Sequence, residues 1–153
     1  AMPIMAGAKI AGLLAGARLE HVEAAGDYGL NLGIAFQIVD DILDVIGDGA
    51  RLGKPAGTDI KEGNVTLVAI HALNNGSMVD HKTLARIIRK RRKVDADVQR
   101  ALDMFRTSGA IEKARADAQV FGSIAKKSLD SIADSDAKRS MIRLVDYVLT
   151  REA

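Results

Sequence analysis

Between Glu20 and Ile46 the chain reads as one long helix, and this run constrains the fold more than any other feature. Its apolar residues Leu30, Ile34, Ile38, Ile42 and Val45 recur at steps of three and four, which lines them along one face. Gly47-Asp48-Gly49 ends the run. Pro3 to Ala17 reads as a preceding helix, with Pro3 suited to a first turn. A glycine inside a helix costs about 1 kcal/mol relative to alanine. Gly7, Gly12 and Gly16 therefore predict close contact with another helix. Asn64 can cap a next helix running to about Leu73, where Asn74-Asn75-Gly76 breaks it. Further helices are expected near 80–92, 96–107, 110–132 and 136–151. Asp95, Ser108 and Asp134 lie near their starts, and Gly109 separates two of them. No strand-like alternation, repeat or linker occurs, so residues 1–153 read as a single all-α domain.

Composition supports this reading. Hydrophobic residues make up 48% of the chain, ample for a core, but aromatics are only 3%. The core is therefore expected from Leu, Ile, Val, Ala and Met. A chain of this length buries roughly 70% of the surface it exposes unfolded. The absence of cysteine excludes disulfides and thiolate metal sites and fits a reducing compartment such as the cytoplasm. A formal charge of +2 does not call for nucleic acid. No apolar run reaches the ~18 residues of a transmembrane segment. Ala1 to Leu14 lacks the basic region of a signal peptide. Ala1 reads as an addition ahead of a start methionine at Met2.

Chemistry concentrates in Phe36-Gln37-Ile38-Val39-Asp40-Asp41-Ile42-Leu43-Asp44. Positions three and four apart share a helical face. Asp40, Asp41 and Asp44 thus project from one stretch, with Gln37 one turn earlier. Their mutual repulsion disfavours the helix unless a cation sits between them. Apolar neighbours make this a largely buried segment, where unpaired charge is costly. Oxygen-only ligands select a hard cation, and Mg²⁺ fits because it shares its shell with substrate phosphates. The competing reading is a solvated acidic turn on a surface helix. Residues 47–63 hold five of the chain's 14 Gly and Pro55, a loop long enough to be functional or disordered. Small residues around Lys54 let it reach toward the carboxylate end of the helix as a phosphate donor. Asp59 could hold a metal-bound water or orient Lys54.

Together these residues resemble the trans-polyprenyl diphosphate synthases. Phe36-Gln37 followed by Asp40-Asp41-x-x-Asp44 is similar to the second aspartate-rich motif of that family. Gly53 to Asp59 and then Glu62-Gly63-Asn64-Val65-Thr66-Leu67 follow as they do there. The resemblance implies the C-terminal half of an all-α helical bundle of the isoprenoid synthase type. It also implies a prenyltransferase of isoprenoid biosynthesis that condenses an allylic diphosphate with isopentenyl diphosphate. By that resemblance Asp40, Asp41, Asp44 and Lys54 form the catalytic set. Asp40 and Asp44 would hold Mg²⁺. Phe36, Gln37, Lys54 and Asp59 would line the diphosphate, with Gln37 and Lys54 touching its oxygens. Asp41 and Asp59 would support these contacting groups or act through water. The family's first aspartate-rich motif has no counterpart here, and Val68 stands at a usual proline. The resemblance therefore predicts little turnover from this chain alone, and a homo-oligomer that hides apolar surface.

Lys82 to Lys93 contains seven Lys or Arg, five of them consecutive from Arg89. This reads as a solvated helix end favoured by the macrodipole, or as a contact to RNA or lipid. No aromatic lies nearby for base stacking. His21, His71 and His81 lack ligand spacing. Two other functions remain open, a non-catalytic partner subunit and a helical binding module.

Overall fold

The structure, a computed structural model, describes residues 1–47, 56–75 and 77–151. Every regular element among them is helical. These are α1 (Met2–Leu14), α2 (Leu19–Ile46), α3 (Thr58–Glu62), α4 (Leu67–Asn75), α5 (Met78–Arg89), α6 (Asp95–Thr107), α7 (Ala110–Ser128) and α8 (Asp136–Thr150). No described helix is long and apolar enough to cross a membrane. The chain divides into two compact units. One holds residues 1–39 and 117–151, the other residues 40–116, so the boundary falls inside α2.

In the first unit, Tyr28 and Leu32 of α2 pack with Ala125, Leu129, Val145 and Val148. The Tyr28 hydroxyl donates to the Met141 carbonyl at 2.9 Å, which satisfies the polar end of a buried ring. Burial pushes the Tyr28 phenol above its ordinary value. The glycine expectation for α1 is corrected. A β-carbon at Gly7 would meet nothing within 4 Å, and Gly16 lies beyond the helix at φ +66°. Only Gly12 is close, its β-carbon position 3.2 Å from Val22. The close approach comes chiefly from α2, where β-carbons at Gly29 and Gly33 would lie 2.9 Å from the Ile4 carbonyl oxygen and 2.5 Å from the Ala1 Cα. A helical period cannot show which of two glycine-bearing faces turns inward. Ser135 caps α8, accepting from the Lys138 amide at 3.1 Å.

In the second unit, α6 packs on α3, α4 and α5. Phe105, Leu84, Ile87 and Leu102 are its largest fully buried side chains, together with Ile42 from the end of α2. Among the described residues no methionine is buried, whereas Phe105 and Tyr28 are. Two of the chain's five aromatics, one in each unit, thus lie among the core residues, and Phe36 and Tyr147 stay exposed. Asn64 is not the cap of α4. Thr66 takes that place, its hydroxyl accepting from the Ala69 amide at 3.2 Å, and α4 continues through Asn75. The stretch expected as a structureless loop contains α3. Gly57 (φ +82°) and Gly63 (φ +88°) flank this helix in the left-handed region that glycine adopts without strain.

Candidate functional site

Asp40, Asp41 and Asp44 occupy the last two turns of α2, as the spacing predicts. Ile38, Val39, Ile42, Leu43 and Val45 around them are buried. Asp41 is buried too, at 8% exposure the one buried charged residue among those described. Asp40 and Asp44 are half-buried. A solvated acidic turn is therefore not what this stretch forms.

Asp44 fixes the segment that returns after the glycine-rich stretch. Its Oδ1 accepts from the Thr58 amide at 3.1 Å and its Oδ2 from the Asp59 amide at 3.3 Å. Its backbone carbonyl accepts from the Gly57 amide at 2.9 Å. A carboxylate from α2 thereby satisfies the orphan amides at the start of α3, which no local side chain caps. Burial raises the Asp44 carboxyl above its ordinary value. The Asp59 and Thr58 amides oppose that rise, and the charges of Asp59 and Asp41 add to it. A group destabilised by burial and like charge, yet held in place by two amides, gains from a nearby cation.

Asp59 is oriented from its other side. Its Oδ1 accepts from the Asn64 amide group at 3.0 Å, and Asn64 also donates to Glu62 at 3.2 Å. Arg106 donates to the Val45 carbonyl at 3.0 Å, placing a cation at the last turn of α2, where carbonyls lack helical partners. Gln37 is exposed one turn before Asp40. Phe36 is 38% exposed, and one face of its ring is covered by Arg151, whose guanidinium carbon lies 4.1 Å from the ring centroid. Lys54, with Gly53 and Pro55, lies outside the described residues. Sequence reasoning did not find Thr58, Arg106 or Arg151. The last two sit 61 and 115 residues from their partners, beyond any local pattern.

Among the described residues no three carboxylate or imidazole groups converge into a cage for a metal ion. Two half-buried carboxylates one helical turn apart fit a hard divalent ion that completes its shell with water and substrate oxygens. They do not fit a closed structural site.

The fold is all-α, and its candidate site is a carboxylate pair carried on a long helix. The model of the polyprenyl synthetase family matches residues 1–105. The chain is 38% identical over 149 residues to a short chain isoprenyl diphosphate synthase of Methanothermobacter thermautotrophicus, covering 97% of this chain and 45% of that protein. It is 35% identical to a geranylfarnesyl diphosphate synthase of Aeropyrum pernix, covering 97% and 46%. A polyprenyl synthase from Caulobacter crescentus, solved with calcium and isoprenyl diphosphate, superposes with a TM-score of 0.90 at 33% identity, covering 98% and 46%. The chain belongs to the polyprenyl synthetase family, and its fold is of the isoprenoid synthase type. It spans a little under half the length of these relatives.

Proposed function

We propose that this chain carries one half of the metal-dependent diphosphate site of a prenyltransferase, which condenses an allylic diphosphate with isopentenyl diphosphate. The observation that supports this most is the placement of Asp40 and Asp44. They stand half-buried and one turn apart, with the start of α3 held against Asp44 by backbone amides. The two would hold Mg²⁺, which when bound neutralises charge on a departing diphosphate. Gln37 would offer its amide to a diphosphate oxygen, and Lys54 its ammonium. Phe36 would border the same ligand. Asp41 and Asp59 would orient these groups, directly or through water. No second Asp-Asp-x-x-Asp occurs in the 153 residues. The reading therefore predicts ligand binding by this chain, with turnover only when another aspartate-rich segment is supplied. Residues 1–153 act as one domain in this reading, because α2 passes unbroken from one unit into the other.

Titration calorimetry with inorganic pyrophosphate tests the site. Binding should require Mg²⁺ and weaken at least about tenfold in Asp40→Ala, about 1.4 kcal/mol. Binding that ignores Mg²⁺, or that Asp40→Ala leaves intact, overturns the assignment. The exposed apolar residues Met2, Ile10, Leu13, Leu14 and Leu19 support self-association. A monomer by sedimentation at low micromolar concentration would count against a homo-oligomer.

A further inference from the structure

The segment Lys82–Lys93 carries seven basic residues and no acid. The chain's formal charge is +2, so all its other residues together carry −5. The charge is therefore segregated, and the helix end does not account for it. α5 stops at Arg89, and Lys90 already has extended backbone (φ −61°, ψ 127°). Arg86 and Arg89 lie on the last turn, where the macrodipole favours them. Arg91, Arg92 and Lys93 lie past it. Lys82, Arg86 and Arg89 share one face of α5. With His81, Ala85 and Lys90 they line a shallow hollow of about 440 Å³ that has no carboxylate in its wall.

The turn after α5 is tied back on itself. Lys90 pairs with Asp97 at 2.6 Å, and Lys93 donates to the Lys90 carbonyl at 3.0 Å. Arg91 and Arg92 between them stay exposed. Apolar side chains stand at the same corner. Val94, next to Lys93, is 63% exposed. A β-carbon on Gly63 would lie 3.5 Å from the Lys93 ammonium, and Val65, 57% exposed, follows Gly63 by two residues. A basic hollow, with Val94 exposed just past the basic run and no aromatic in the segment, suits a phospholipid surface. It offers no platform on which bases could stack.

We propose that this corner docks the chain onto an anionic membrane surface. Lys82, Arg86, Arg89, Arg91 and Arg92 meet headgroup phosphates, and Val65 and Val94 meet the edge of the acyl region. Co-sedimentation with phosphatidylcholine vesicles, with and without phosphatidylglycerol, tests it. The chain should bind only the anionic vesicles, and added salt should release it. The triple variant R89Q/R91Q/R92Q removes three exposed charges. At about fivefold per charge, it should bind on the order of a hundredfold more weakly, with an unchanged circular dichroism spectrum. Val65→Ser with Val94→Ser should weaken binding and leave its salt dependence in place. Equal binding to neutral vesicles overturns the proposal, as does a folded triple variant that binds like the parent. Displacement from vesicles by stoichiometric single-stranded RNA does so too. If the triple variant fails to fold, the parent's response to salt decides, and indifference to salt overturns the proposal.

Discussion

The Arg151 guanidinium stacks on the Phe36 ring at 4.1 Å and donates to the Phe36 carbonyl at 3.1 Å. One side chain at the end of the described chain thus grips both the ring and the backbone of the residue before Gln37. A cation–π contact and one charged hydrogen bond are together worth about 1–2 kcal/mol. Arg151→Ala should lower the unfolding free energy by about that much, measured in urea. Arg151→Lys should recover only part of it, because an ammonium lacks the planar fork. An Arg151→Ala variant as stable as the parent would show that the stack contributes nothing.

Gly57 holds the turn that presents its own amide and those of Thr58 and Asp59 to Asp44. Its φ is +82°, and a β-carbon there would lie 2.5 Å from Val98 Cγ1. Gly57→Ala meets both a left-handed backbone and a packed neighbour, and should cost about 2 kcal/mol or more. Displaced amides also leave Asp44 less well held, so Mg²⁺-dependent pyrophosphate binding should weaken alongside stability. Calorimetry on the folded variant measures the second effect, and unchanged affinity would separate Gly57 from the site.

Two helical glycines should respond with opposite sign. At Gly29 a β-carbon would press on the Ile4 carbonyl oxygen and the Met5 Cα, both 2.9 Å away and both backbone. Gly29→Ala should therefore destabilise by about 1–3 kcal/mol. At Gly7 the space is open, and Gly7→Ala should stabilise by up to about 1 kcal/mol through helix propensity. Thermal melts of the two variants decide this, and two shifts of the same sign would contradict the packing of α1 on α2.

Asp97 carries an acid-sensitive contribution. The Lys90 side chain beside it, and then the Val94 amide at 3.2 Å, hold its carboxyl below the ordinary value of 3.8. A carboxyl lowered in the folded state stabilises above its unfolded value and loses that stabilisation as pH falls through the folded value. The parent should therefore lose stability relative to Asp97→Asn only below about pH 4. Denaturation of both proteins at neutral pH and near pH 3 reads the difference. A constant gap across that range would exclude the linkage.

The sequence by itself determined the helical class, most helix bounds within a few residues, and the acidic turns of α2. These follow from local rules, since periodicity and the spacing of side chains along one helix need no partner. The tertiary structure decided which glycines meet a neighbour, that Thr66 and not Asn64 caps α4, and that α3 forms between two left-handed glycines. It also decided that Asp41 is buried while Asp40 and Asp44 are half-buried, and that Asp44 anchors α3. Arg106 and Arg151 bond backbone carbonyls of α2 that lie 61 and 115 residues away along the chain. Such contacts depend on how helices pack, and packing joins residues that no period along the chain relates.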